Sequence, residues 1–184
     1  MPSNTIDADG TITRDARSRY RQRAEGGAHG AFEAETKRAG GSPRAEIEVV
    51  RGPAPAEIAA VLGGESEVVI RQRRMFDGDR LVQLCNTYIP AFVAEAAPAV
   101  AQLDTGVGGI ISRMADAGLA QTEVVEDVRQ EPATADQASA LGVEPGSLLL
   151  TITHVGSTED GRTVEVSKHI LGPGWTLRYG VPLD

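Results

Sequence analysis

The stretch "VVIRQRRMFDGDRLVQLCNTYIP", residues 68–90, decides how this chain is to be read. It opens on Val68, Val69 and Ile70, which suit a buried strand, and then carries Arg71, Arg73 and Arg74. Asp77-Gly78 follows, and a second β-type run ends at Pro90. An Asp-Gly pair between two β-type runs signals a hairpin, so strands are expected over 67–76 and 80–89. Successive strand side chains alternate between faces, so Arg71 and Arg73 share one face and Arg74 points to the other. Two guanidinium forks on one face either bridge to nearby acids such as Glu67, Asp77 and Asp79, or wait for an anion.

Working outward, "AEIEVVRG" from residue 45 alternates polar and apolar and reads as a strand. "PAPAEIAAVLGG" begins with prolines and ends with glycines, which is helix punctuation at both ends. The same order returns over 121–170: "QTEVVEDVRQ", "EPATADQASALGV", "SLLLTITHV", "EDGRTVEVSKHIL". Leu62-Gly63 corresponds to Leu141-Gly142, and Asp77-Gly78 to Asp160-Gly161. The chain therefore contains two copies of a β-α-β-β unit. Six strands dominated by hairpins predict a mainly antiparallel sheet with helices against it, an α+β fold. Between the copies, "LDTGVGGIISRMADAGL" predicts a helix with Asp104 and Thr105 as N-cap candidates, an apolar face of Ile110, Ile111 and Met114, and a stop at Gly118. "TLRYGV" reads as a last short strand.

The N-terminal residues are weakly patterned. "RDARSRYRQR" places Arg14, Arg17, Arg19, Arg21 and Arg23 against Asp15 alone, and reads as a solvated linker or frayed helix; the alternative is a basic connector that touches phosphate or a partner domain. Residues 1–29 are thus expected to form a basic arm, and 30–184 the domain. "GAHGAFEAETKRAGG" predicts a short helix anchored by Phe32.

Bulk properties narrow the function classes. A chain of 184 residues can bury a substantial core. Its net charge of −8 disfavours nucleic acid by bulk electrostatics, and 4% aromatic content leaves little for base stacking. The single cysteine, Cys85, excludes an intramolecular disulfide and points to a reducing cytoplasm. No apolar run approaches the ~18 residues of a membrane span, and the polar start is no signal peptide.

Enzyme signals are poor. His29, His154 and His169 are scattered without metal-ligand spacing, and His154 reads as a core or surface histidine. Cys85 reads as a small filler, and Glu123 and Glu126 as a solvated face. No nucleophile elbow or P-loop is present. Binding signals are better. Besides Arg71 and Arg73, "DTGVGG" opens a helix whose free amides suit an anion. Glu165 and Ser167 share one strand face and could engage a polar ligand.

Taken together, the 68–90 hairpin, "DTGVGGIISRMADAGL", and "ATADQASALGVEPGSLLLTITHVGSTEDGRTVEVSKHIL" resemble the UTRA domain, the effector-binding domain of the HutC-like branch of GntR-type transcription regulators. The resemblance covers about residues 30–182. It implies a chorismate lyase-like fold and a homodimer that binds a small anionic metabolite, a carboxylate or phosphate, without a cofactor. It implies an effector-binding set of Arg71, Arg73, Thr87, Thr105, Gly108, Gly109, Glu165, Ser167, Phe32 and Glu33. Gly109 and Ile111 stand where the family often supplies serine and tyrosine to a phosphate, which counts against a phosphosugar. DNA would be met only through a winged helix-turn-helix domain that this chain lacks, "ITRDARSRYRQR" resembling the linker after it. A chorismate lyase-like enzyme and a ligand-free dimerisation module are the alternatives.

Overall fold

The computed structural model describes residues 12–15, 19–20, 27–65 and 67–180. Its centre is a six-stranded sheet of β2 (Pro43–Pro53), β3 (Glu67–Asp77), β4 (Arg80–Pro90), β5 (Glu123–Pro132), β6 (Leu148–Ser157) and β7 (Thr163–Leu171). The spatial order is β2-β3-β4-β7-β6-β5, and every neighbouring pair is antiparallel. The two β-α-β-β copies meet at β4 and β7, so the repeat read from the sequence is the two halves of one sheet. Each copy carries one helix between its first and second strands: α2 (Ala56–Val61) and α5 (Ala135–Leu141). Thr134 and Gln137 cap α5 reciprocally, and Gly142 ends it at φ +67°, a conformation glycine adopts freely.

Strand alternation sorts the covering elements. Ile58 and Leu62 of the α2 segment pack on Val68, Tyr88 and Val166, and Ala138 and Leu141 of α5 pack near Phe76, Leu84 and Ile170. The opposite face, which carries Val69 and Ile89, is covered at one end by α3 (Ala91–Ala96), a 3₁₀ turn (Pro98–Ala101) and α4 (Gly109–Asp116). Val69, Ile89, Val93, Val100, Met114 and Val164, all fully buried, lie at the centre of that core. At the other end, α1 (Ala31–Arg38) lays Phe32 beside Met75 and Cys85, with Trp175 against it. The final strand, β8 (Trp175–Arg178), pairs in parallel with β1 (Ile12–Asp15) in a separate two-stranded sheet.

Two local expectations change. Helix α4 starts at Gly108, at φ +82°, with no side-chain cap, so neither Asp104 nor Thr105 is its N-cap. Asp104 Oδ1 accepts instead from the Gly106 N–H at 2.8 Å, and Gly118 ends the helix as expected. The described arginines of the arm are also not solvated. Arg14 and Arg19 are 2% and 5% exposed and pair with Glu126 and Glu35. The bare count of arginines hides this because their acids lie far along the chain. Arg17, Arg21 and Arg23 lie outside the described residues.

Candidate functional site

Strand register aligns two rows of side chains across the helix-covered face. One row runs Val49, Arg71, Thr87, Ser167, His154, Glu126, one residue from each of the six strands. The next runs Ile47, Arg73, Cys85, His169, Ile152, Val128. A cavity of about 670 Å³ opens over these rows, between the sheet, α1 and the start of α4.

Arg71 is 3% exposed. Its Nη1 donates to the Val100 carbonyl at 2.8 Å and to that of Gln102, and its Nη2 donates to the Leu103 carbonyl at 3.1 Å. It thereby satisfies carbonyls that the 3₁₀ turn leaves without helical partners. Arg73 donates from Nη2 to Thr87 Oγ1 and to Cys85 Sγ, while its buried Nε has no partner. Among the described residues no carboxylate lies within 4 Å of either guanidinium, so the acids near them in sequence do not neutralise them. Burial, and then the neighbouring Arg73 charge, bring Arg71 down to about 10, with Glu165 opposing. Arg74 points away, exposed beside Glu46, as alternation requires.

From Arg73 a chain of polar contacts crosses the sheet. Thr87 Oγ1 lies 2.5 Å from Ser167 Oγ, and Ser167 donates to Glu165 Oε1 at 2.6 Å. Gln121 Nε2 donates to Glu165 Oε2 at 2.8 Å. Gly156 makes that last bond possible: a Cβ there would stand 2.5 Å from the Gln121 amide carbon. Since Arg73 can only donate, each hydroxyl passes its own proton on toward Glu165.

The histidines belong to the same face. His169 is buried, and its Nδ1 lies 3.1 Å from Gln83 Nε2. Burial, followed by the charges of Arg14, Arg19 and Arg73, pushes it well below the usual histidine range, so it stays neutral. His154 stacks on Tyr20 with ring centres 4.6 Å apart, and its Nδ1 is 3.8 Å from Glu126. Glu126, expected on a solvated face, is held among Arg14, Tyr20 and His154. Burial alone would raise its pKa, but His154, Arg14 and Tyr20 together hold it down to about 2.

Of the residues singled out from sequence, Phe32, Glu33, Arg71, Arg73, Thr105, Gly108, Gly109, Glu165 and Ser167 all line this one cavity. Thr87 does not: it is fully buried beneath Arg73 and Ser167. The Gly108 and Gly109 amides, expected to cap an anion, are occupied by the Ala28 and Gly106 carbonyls. Glu33 is tied to Lys37 Nζ at 2.5 Å and to the His29 N–H at 2.8 Å. Sequence reasoning missed His154 and His169 as wall residues, although 165, 167 and 169 share one strand face. It also missed Ile47, Met75, Ile110, Arg19 and Tyr20. Among the described residues no cluster of His, Cys, Asp or Glu could hold a metal ion, and no helix is long and apolar enough to cross a membrane.

The UTRA domain family model matches residues 38–172, and the chain belongs to that family. It is 32% identical over 119 residues to the HTH-type transcriptional regulator Rv0792c of Mycobacterium tuberculosis, a match covering 62% of this chain and 43% of that protein. The chain thus matches less than half the length of that relative. The fold is that of the effector domain of PhnF from Mycobacterium smegmatis, with a TM-score of 0.69 at 18% identity, covering 85% of this chain and 97% of that one. It is also that of the ligand-binding domain of a candidate GntR-family transcriptional regulator from Bordetella bronchiseptica, with a TM-score of 0.62 at 23% identity, covering 78% and 92%.

Proposed function

We propose that this chain is the small-molecule effector-binding domain of a GntR-type, HutC-like bacterial transcription regulator. It takes an anionic metabolite in the cavity over Arg71 and Arg73 and works as a homodimer. It acts on DNA through a winged helix-turn-helix domain. The observation that carries this reading is the pair of guanidinium groups facing one cavity without a carboxylate partner. Buried charge left uncompensated is costly, and an anion would relieve both the desolvation and the mutual repulsion. Family membership and the regulator relative support the regulatory setting. A ligand biases the dimer between arrangements by as much as its affinities for them differ.

The chain is read as a sensor and not as a catalyst, since the carboxylate over the cavity floor, Glu165, is already held by Ser167 and Gln121 and stands beside arginines that call for an anion. The test is a thermal-shift screen of the chain against carboxylates and phosphates, repeated with Arg73→Ala. A stabilisation that vanishes in the variant is expected. Stabilisation that persists in Arg73→Ala places the anion elsewhere, and turnover of chorismate would restore the enzyme reading.

A further inference from the structure

Resting on that reading, we propose that the molecule held in this cavity is a monocarboxylate with an apolar body and one hydrogen-bond donor, not a phosphate ester, and that His169 is a ligand-contacting residue that selects it.

The charges facing the cavity set the first limit. Arg19 is neutralised by Glu35, Arg44 by Glu46 at 2.7 Å, and Glu33 by Lys37. His29 and Asp104 lie 3.4 Å apart at the exposed rim. What remains is Arg71 and Arg73 against Glu165, whose named partners, Ser167 and Gln121, are neutral. The sheet floor of the cavity, away from the exposed rim, therefore holds one uncompensated positive charge. A carboxylate cancels it. A phosphate monoester, at about −1.5 to −2 near neutral pH, overshoots and leaves net negative charge in a partly desolvated site.

The free donors set the second limit. Thr87 and Ser167 direct their hydroxyl protons toward Glu165, and the Gly108 and Gly109 amides already have partners. In the second row of the sheet two nitrogen donors are left. One is the Arg73 fork beyond its engaged Nη2. The other is His169. Gln83 Nε2 donates to its Nδ1, so the ring proton sits on Nε2, which has no partner among the described residues on the cavity wall. An arginine and a neutral N–H suit the two oxygens of one carboxylate. The Thr105 hydroxyl also lines the cavity, so the exclusion of a phosphate rests on the charge of the floor.

The remaining wall describes the body. Phe32, Ile47, Met75, Ile110 and Ile111 line the cavity. Glu165, as an acceptor, calls for a single hydroxyl or ammonium near the carboxylate end. Apolar 2-hydroxy and 2-amino acids satisfy all of these conditions.

The experiment is calorimetric titration of the chain with a panel of apolar 2-hydroxy acids, from 2-hydroxybutyrate to 3-phenyllactate, beside the phosphate monoesters of matched bodies and inorganic phosphate. The tightest hydroxy acid is expected to bind about tenfold or more tighter than its phosphate counterpart, since each mismatched charge-assisted bond is worth about that factor. His169→Phe is expected to weaken it about tenfold, and His169→Gln, which keeps a donor, to recover most of the loss. Thermal midpoints verify that both variants fold. Phosphate esters binding more tightly, and depending on Arg73, would overturn the monocarboxylate assignment and leave the anion site standing. Equal affinity in His169→Phe would overturn the role of His169. No heat from any probe would overturn both the assignment and the anion reading beneath it.

Discussion

Arg71 and Arg73 stand one pleat apart on the same face of β3, and only Arg71 is built into the backbone around it. Arg71 donates to the carbonyls of Val100, Gln102 and Leu103, whereas Arg73 meets only side chains, those of Thr87 and Cys85. Arg71→Ala strands the buried Val100 carbonyl and the partly buried carbonyls of Gln102 and Leu103, so it is expected to destabilise the fold by about 2–4 kcal/mol. Arg73→Ala removes a half-buried charge that has no counter-ion and is expected to stay within about 1 kcal/mol of the parent. For anion binding the order reverses in usefulness: Arg73→Ala loses binding in a folded protein. Urea unfolding of both variants, read beside titration, separates the two roles.

The hydroxyls of Thr87 and Ser167 couple that arginine to Glu165 across the β4–β7 pair. Ser167→Ala leaves Thr87 without its acceptor and Glu165 Oε1 without its donor, for an expected loss of about 1–3 kcal/mol. Thr87→Val breaks the same chain one link earlier. The two losses should be less than additive, with a coupling of about 0.5–3 kcal/mol, because either change interrupts one network. Additive losses in a double-mutant cycle would show that the two hydroxyls act separately.

The sheet was legible in the sequence because its signals are local. Alternation, the Asp77-Gly78 turn and the Leu-Gly helix ends all lie within a few residues of what they shape, and the repeat supplied each of them twice. The parity of Arg71, Arg73 and Arg74 was legible for the same reason. What failed was long-range. The acids that neutralise Arg14 and Arg19 are Glu126 and Glu35, at separations of 112 and 16 residues. The Gly108 amide was expected to be free because nothing nearby announces that the Ala28 carbonyl returns to meet it; the Gly109 amide is taken by the Gly106 carbonyl in a local turn. Thr87 was placed on the right face but at the cavity surface, whereas it lies buried beneath it, since alternation gives a side and not a depth.

That returning segment explains why residue 109 is glycine. Gly109 sits at φ +65°, and a Cβ there would stand 2.6 Å from the His29 carbonyl oxygen, which is backbone and cannot yield cheaply. Gly109→Ala should therefore cost about 2–4 kcal/mol, combining left-handed strain with displacement of the 28–30 segment from the cavity wall. Gly118 has a similar φ, +77°, with open space around its Cβ position. Gly118→Ala should cost only the conformational part, about 1 kcal/mol. Thermal midpoints of the two variants measure the difference, and equal losses would remove the backbone contact from the explanation.

Acid exposes the two buried titrating groups in separate windows. Glu126 is held at about 2 in the folded chain against an ordinary 4.5. A depressed carboxylate stabilises the fold fully above its unfolded value and loses that contribution as pH falls through the folded one. The loss should run from about pH 5 down to about pH 2 and amount to roughly 3 kcal/mol. Glu126→Gln leaves Arg14 buried without its carboxylate, so it should be less stable than the parent at pH 7 by about 3–5 kcal/mol. The gap should close toward pH 2, where the parent has lost the same charge. His169 answers earlier. Its pKa lies well below 6.5 in the folded chain, so the unfolded chain takes up a proton that the folded one refuses. That contribution is present above pH 6.5 and falls away below it, by about 1.4 kcal/mol per pH unit. His169→Phe should flatten the stability curve between pH 6.5 and 5 while leaving the lower limb in place. A single acid limb, moved by neither substitution, would show that neither group controls the transition.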